Sequence, residues 1–256
     1  MRCIQTDELK ELQMQILDYV DAFCRSNGIR YTLSGGSLLG AIRHKGFIPW
    51  DDDIDIQMLR SEYDRFTQLW MKHETNAIYE LVNIESGNNM GYPFGKVHDV
   101  RTTSFIGKTQ RTGVFIDIFP LDKVRDEADF QYRHGRVIRL FKLRGVLFKM
   151  MGVDKTGLAT GLYRKVAVRI NNIAKRYESD EPAYVFEMTS GLLCKRPMPK
   201  GIFESYCDIS FEDRQYMSVE DYDAYLTSTF GDYMQLPPKD KQVPHHDAVF
   251  YWKDGE

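Results

Sequence analysis

Between Asp51 and Asp55 the chain carries four carboxylates in five positions, and the end of that stretch alternates as Asp53-Ile54-Asp55-Ile56. A period of two belongs to a β-strand, which sends both isoleucines to one face and both aspartates to the other. The isoleucine face requires a core. The aspartate face requires a cation, because like charges this close repel one another and cost stability. Carboxylates two residues apart on an extended strand stand about 6 to 7 Å from each other, a spacing suited to sharing divalent ions.

Two other readings of the cluster are weaker. Asp51, Asp53, Asp55 and Glu62 fall on positions 1, 3, 5 and 12 of a calcium loop, but the sixth position, which needs glycine for a sharp turn, is the β-branched Ile56. A merely solvated acidic turn accounts for the charges. It does not account for the strict alternation with isoleucine.

The third reading is metal-dependent phosphoryl or nucleotidyl transfer. Mg²⁺ prefers oxygen ligands, and carboxylates at i and i+2 supply them. A third carboxylate is wanted on a neighbouring strand, and "GVFIDIFP" offers Asp117 in the same Ile-Asp-Ile setting. Upstream, Gly35-Gly36-Ser37 reads as a turn opening a helix, where free N–H groups and the helix dipole favour phosphate. Glycine lets the backbone come close, and the Ser37 hydroxyl adds a donor. Arg43, His44 and Lys45 end that helix and are candidates for phosphate or acceptor contacts, with favourable placement in a last helical turn as the alternative.

Periodicity places these motifs. Leu9, Leu12, Ile16, Val20 and Phe23 predict a helix opened at Thr6-Asp7-Glu8 and stopped at Asn27-Gly28. "IRYTL" and "IDIQM" read as strands, and Ser61 with Asp64 predicts the start of a helix running to about His73. "YELVNI", "PFGKVHD", "TTSFI" and "GVFIDIF" read as four further strands. Residues 126–177 read as two long basic helices broken near "GVDKTG". The last part, "DISFEDRQYMSVEDYDAYLTSTFGDYMQLPP", reads as a strand, then a helix with Ser218 and Asp221 as capping box, then a proline stop. The expected architecture is α/β (α+β), a mixed sheet flanked by helices, in one catalytic domain over residues 1–256. Its core spans about 28–120, a helical insertion about 126–177, and a C-terminal part about 205–256.

A chain of 256 residues with 43% hydrophobic side chains buries a sizeable core. The net charge of −3 argues against nucleic acid as partner. Cys3, Cys24, Cys194 and Cys207 form no C-x-x-C pair, which argues against a cysteine zinc site, and without a secretion signal a disulfide framework is not expected. With no apolar leader and no run of roughly 20 apolar residues, the expected compartment is the cytoplasm.

These motifs resemble the nucleotidyltransferase superfamily that includes DNA polymerase β-like enzymes. More narrowly, "SGGSLLGAIRHKGFIPWDDDIDI" is similar to the signature of the LicD family, to which fukutin-type proteins are related. "KVHDVRTT", "GVFIDIFPLD" and the ending "FGDYMQLPP…PHH…YW" extend the resemblance over most of the chain. His98 departs from it, standing where a basic residue is expected in K-x-R-D. The resemblance implies a nucleotidyltransferase-like fold and transfer of phosphocholine, or a related phosphoalcohol, from a CDP-activated donor such as CDP-choline to a glycan or glycolipid, with release of CMP. It implies Mg²⁺, two ions with Mn²⁺ able to substitute, held by Asp53, Asp55 and Asp117 with Asp51 assisting. Asp117 would also help deprotonate the acceptor hydroxyl. Gly35, Gly36, Ser37 and Lys96 would bind donor phosphates, and His246 would reach the site. The alternatives are CDP-ribitol or CDP-glycerol chemistry, small-molecule nucleotidylation, and an inactive nucleotide-binding module.

Several features stay open in the sequence. Lys96 and Arg101 either bind pyrophosphate or decorate strand ends. Adjacent His245 and His246 point to opposite sides if extended. Tyr233, Tyr251 and Trp252 either form an aromatic cage for a choline headgroup or pack. "RHGRVIRLFKLRGVLFKMM" mixes basic and apolar residues in a way that suits a membrane surface, and hence a peripheral position at its inner face. Its charges spread over much of the helical wheel, however, and a packed helix with snorkelling basic ends is the better reading.

Overall fold

The computed structural model describes residues 1–73, 78–86, 91–106, 109–151, 158–176, 182–190, 196–243 and 248–253. The chain opens with helix α1 (Thr6–Ser26), whose Leu9, Leu12, Ile16, Val20 and Phe23 are all buried. Strand β1 (Thr32–Leu33), helix α2 (Gly35–His44), strand β2 (Asp55–Leu59) and helix α3 (Arg60–Lys72) follow. The isoleucines of the alternating run sit where the pattern requires: Ile54 and Ile56 are wholly buried, in the same core as α1. The ladder itself begins only at Asp55.

Next come β3 (Tyr79–Val82), β4 (Gly95–Asp99), β5 (Thr102–Ile106), β6 (Thr109–Arg111) and β7 (Phe115–Val124). The central sheet runs β1-β2-β7-β4-β3. Only β2 and β7 lie parallel, and the other pairs along that path are antiparallel. Among the ten residues of β7, the first half pairs with β4 as far as Ile118. The second half pairs from Leu121 onward with β8 (Tyr184–Glu187). Pro120 falls at the changeover, a point where its missing N–H interrupts neither ladder.

Helices α4 (Glu127–Met151) and α5 (Leu158–Ala174) pack on each other through small cores of their own, one of them Val137, Val166 and Ile170. The two expected basic helices are therefore present; the interval expected to break them lies outside the described residues. The buried Arg133 fixes the start of α4, pairing with Asp129 one turn earlier and donating to the carbonyls of Ala174 (2.9 Å) and Lys123.

After the short β9 (Met198–Pro199), strands β10 (Tyr206–Phe211) and β11 (Arg214–Val219) form a hairpin, followed by α6 (Tyr222–Phe230) and β12 (Val249–Trp252). The segment expected to give one strand here gives two. The expected capping box is also corrected: Asp221 is itself the N-cap, accepting from Ala224 N–H at 3.2 Å, while Ser218 is a buried strand residue whose hydroxyl meets that of Thr32 at 3.2 Å. Likewise α3 begins at Arg60 with no side-chain cap, so the Ser61–Asp64 start signal is not used. Arg60 instead forms a buried bidentate pair with Asp122 of β7, at 2.7 and 2.9 Å.

The β10–β11 hairpin tip fixes the far end of α2. Glu212, itself at φ 54°, accepts from Phe47 N–H at 2.9 Å and donates its own N–H to the Lys45 carbonyl at 2.8 Å. A side chain at Gly46 would overlap the Glu212 carboxylate, which is why the turn after α2 is glycine there.

Candidate active site

The glycine turn and the acidic strand are bonded to each other. Ser34 donates its N–H to the Asp55 carbonyl at 3.0 Å, and the Ser37 hydroxyl accepts from Asp55 N–H at 2.9 Å. Both main-chain groups of Asp55 are thus held by the start of α2. Gly35 takes φ 51°, which turns the chain into the helix. Its N–H faces the Tyr225 hydroxyl at 3.4 Å, and that hydroxyl donates to Gln57 Oε1 on β2 at 2.7 Å. Gly36 lies against the Asp51 carboxylate so closely that a Cβ would overlap it.

The acidic loop is held from below. Gln13 of α1 donates to the Asp52 carbonyl at 2.9 Å, Asp51 N–H closes a turn on Ile48, and Asp117 N–H donates to the Ile54 carbonyl at 3.0 Å. Carboxylate oxygens of Asp51, Asp52 and Asp53 come within 4.8 Å of one another. Register brings in the rest: Asp55 of β2 is opposite Asp117 of β7, and Asp117 is opposite Lys96 of β4. Asp55, Asp117 and Lys96 therefore form one row across three adjacent strands.

Lys96 is only 5% exposed, and its ammonium contacts Asp117 Oδ1 directly. Around it stand the rings of Phe115, Tyr92 and Phe94, with centroids 3.6, 5.0 and 5.3 Å from Nζ. A buried ammonium is tolerated when a carboxylate and ring faces replace water, and both are present. Burial, then the Asp53 and Asp117 charges, push the Asp55 carboxyl well above the usual carboxylate range; Lys96 pulls the other way and Asp51 adds to the push. This is the electrostatic state of a site that calls for further positive charge. An all-oxygen donor set of four carboxylates, Asp51, Asp53, Asp55 and Asp117, suits a hard divalent cation such as Mg²⁺.

Other expected residues lie elsewhere. Arg43, His44 and Lys45 occupy the opposite end of α2 from Gly35, about 13 Å away along its axis. Arg43 donates to the Tyr233 carbonyl at 2.9 Å and to His44 Nε2 at 3.0 Å, and Lys45 takes the left-handed C-cap at φ 64°. Burial, then Arg43, hold the His44 pKa below the ordinary histidine value. Arg101 pairs with Asp99, its closest contact 2.6 Å, and lies over the Trp252 ring. Trp252 donates to Glu8 at 3.0 Å, and the Tyr233 hydroxyl donates to Asp223 at 2.6 Å. Tyr251 lies against Phe105 at 5.9 Å. Tyr233, Tyr251 and Trp252 thus serve separate local contacts. His245 and His246 fall outside the described residues.

His98 shares the Lys96 face of β4, with Nε2 at 3.4 Å from Glu80 Oε2. The aromatic surround of Lys96 was not anticipated, although the alternation Tyr92-x-Phe94-x-Lys96 carries its signal. Nothing in the sequence indicates the Tyr225–Gln57 contact behind the glycine turn.

A family model described as LicD/FKTN/FKRP, nucleotidyltransferase domain, matches residues 28–142. Lipopolysaccharide cholinephosphotransferase LicD of Haemophilus influenzae is 36% identical over 267 residues, an alignment covering 98% of this chain and 99% of the relative. Ribitol 5-phosphate transferase FKRP of Homo sapiens is 45% identical over 51 residues, covering 20% of this chain and 10% of its own length. An uncharacterized protein of Rickettsia typhi is 38% identical over 82 residues, covering 29% of this chain and 26% of the relative.

Proposed function

The chain belongs to the LicD family, and from that premise we propose that it is a phosphotransferase moving phosphocholine from CDP-choline to a hydroxyl of a cell-surface glycan. The acceptor class is a lipopolysaccharide, teichoic acid or capsule precursor. The observation that carries the reading is the row Asp55–Asp117–Lys96, set beside a glycine turn that is bonded to Asp55.

The acceptor oxygen attacks the phosphorus bearing choline, the bond from that phosphorus to the CMP oxygen breaks, and the hydroxyl proton leaves to a base. Asp53, Asp55 and Asp117, with Asp51 beside them, would hold Mg²⁺. When bound, the divalent ion neutralises charge on the transferring group and on the departing CMP. Backbone N–H groups at Gly36 and Ser37, in the first turn of α2, face donor phosphate. Lys96 balances Asp117 and places its ammonium where negative charge builds on the phosphoryl oxygens. Asp117 takes the proton of the acceptor hydroxyl. The protein works at the cytoplasmic side; among the described residues no helix is long and apolar enough to cross a membrane.

The test is incubation with CDP-choline, Mg²⁺ and candidate glycans while CMP is followed. Release of CMP with phosphocholine on the glycan supports the reading. CMP from CDP-ribitol or CDP-glycerol alone replaces the donor alcohol, and pyrophosphate released when a nucleoside triphosphate is offered, with no CMP from any CDP-alcohol, turns the reaction into nucleotidylation. Tight Mg²⁺-nucleotide binding without turnover on any acceptor would make the chain a binding module.

A further inference from the structure

The α4–α5 hairpin concentrates positive charge in an acidic protein. Residues 127–176 hold twelve of the 34 lysines and arginines but only three of the 37 acidic side chains, while the whole chain carries −3. The spread of charge around α4 becomes ordered once Arg133, buried and held by Asp129, and Arg144, packed over Tyr92, are set aside. Tyr132, Arg136, Arg139, Lys142, Leu143 and Val146 then share one side of the helix at spacings of three and four. Tyr132, Leu143 and Val146 are about half exposed, at 53%, 48% and 51%. Arg136 donates to the Tyr132 hydroxyl at 2.6 Å, and Arg136 and Arg176 lie 5.3 and 5.7 Å from its ring centroid. The stripe thus mixes apolar groups, an arginine-flanked tyrosine and cations, with no acidic residue among the six.

The other, packed side of α4 borders the active site, so the stripe faces away from the contact that joins the hairpin to it. Arg144 of α4 lies 5.6 Å from the Tyr92 ring, and Lys96 lies 5.0 Å from the same ring. Arg164 of α5 donates to the Ile84 carbonyl at 3.3 Å, and Gly91 is packed against Tyr163. The hairpin therefore rests on the segment that leads into β4.

We propose that the Tyr132–Val146 side of α4 docks on an anionic lipid bilayer and so holds the chain, with its Asp55–Asp117–Lys96 row, at the surface that carries a lipid-borne acceptor. Cations alone would fit any polyanion. Leucine and valine half out of water, and a tyrosine between arginines, fit the headgroup boundary, where apolar groups are buried and cations meet lipid phosphate. The acceptor side of this inference rests on the reading above, whereas docking does not, because vesicle binding is measured without turnover.

The experiment is co-sedimentation of the full chain with phosphatidylcholine vesicles, with and without phosphatidylglycerol, across a salt series. Binding is expected only with the anionic lipid and is expected to weaken as salt rises. Arg139→Ala with Lys142→Ala should lower it roughly 25-fold, about fivefold per charge. Leu143→Ser with Val146→Ser should also lower it while leaving retention on soluble polyphosphate unchanged. All four positions lie on the exposed side of α4, so circular dichroism should show native folding in both double variants. Absence of wild-type binding to anionic vesicles overturns the proposal. So does vesicle binding indifferent to Leu143→Ser with Val146→Ser, which would make the stripe a polyanion site.

Discussion

Lys96 and Asp117 face each other across β4 and β7, ammonium against carboxylate, with Asp55 next in the same row on β2. The acidic cluster thus contains its own cation, and that cation is kept from water by Phe115, Tyr92 and Phe94. One lysine cannot balance Asp51, Asp53, Asp55 and Asp117 together. The remainder is a demand for further positive charge, which the proposed divalent ion would answer.

Lys96→Met should lower kcat about 100- to 1,000-fold, the scale on which removal of one preorganised charge-stabilising group acts. Losing one partner of a buried pair also costs about 3 kcal/mol, and Mg²⁺ should restore much of that stability. The checks are CMP release and thermal melting with and without Mg²⁺. Activity within threefold of wild type would remove Lys96 from the machinery.

Asp53→Asn should abolish Mg²⁺-dependent turnover and yet raise the melting temperature in chelator. It deletes one charge from a mutually repelling set, and a gain of about 1 kcal/mol moves a chain of this size by about 2 to 4 °C. Adding Mg²⁺ should stabilise the wild type but not the variant, since a ligand stabilises only the state that binds it. A variant that keeps the full Mg²⁺ shift shows that Asp53 is not a ligand.

Gly36→Ala sets a methyl group against the Asp51 carboxylate, so the loop must shift, at about 1 to 3 kcal/mol. Donor KM should rise together with the Mg²⁺ concentration required for half activity. Ser37→Ala removes the acceptor of Asp55 N–H and should cost about 1 kcal/mol. Wild-type metal dependence in Gly36→Ala would show that the turn and the acids are not coupled.

His98 carries a pH signature. Burial, partly opposed by the Glu80 carboxylate, holds its pKa below the ordinary histidine value. For a base whose folded pKa is depressed, the stability is present above the unfolded value of about 6.5 and is lost as pH falls through the folded one. Melting temperature should therefore fall between about pH 7 and pH 5, and His98→Asn should flatten that part of the curve. An unchanged slope in the variant would assign the acid limb to other groups.

Much of this protein is legible in residue order. Asp53-Ile54-Asp55-Ile56 and Ile116-Asp117-Ile118 announce strands with one apolar and one acidic face, because alternation is a local property of extended chain. The Gly-Gly-Ser turn announces a helix start for the same reason, and the spacing of Leu9 through Phe23 fixes α1. Local rules fail where tertiary bonds compete with them. Ser218 fits a capping box, yet its hydroxyl meets Thr32 in the core; Ser61 fits another, and Arg60 starts the helix by pairing with Asp122. Basic residues fail similarly: Arg43 is taken by the Tyr233 carbonyl, whereas Lys96 is held among aromatic rings beside Asp117. Residue order alone points to Asp53, Asp55 and Asp117 as the candidate carboxylates, and to the apolar faces opposite Asp55 and Asp117. That Asp55, Asp117 and Lys96 share a row, and that the glycine turn bonds to Asp55, shows only in the folded chain. Strand register and side-chain pairing join segments distant along the chain, and those are selected by packing of the whole core.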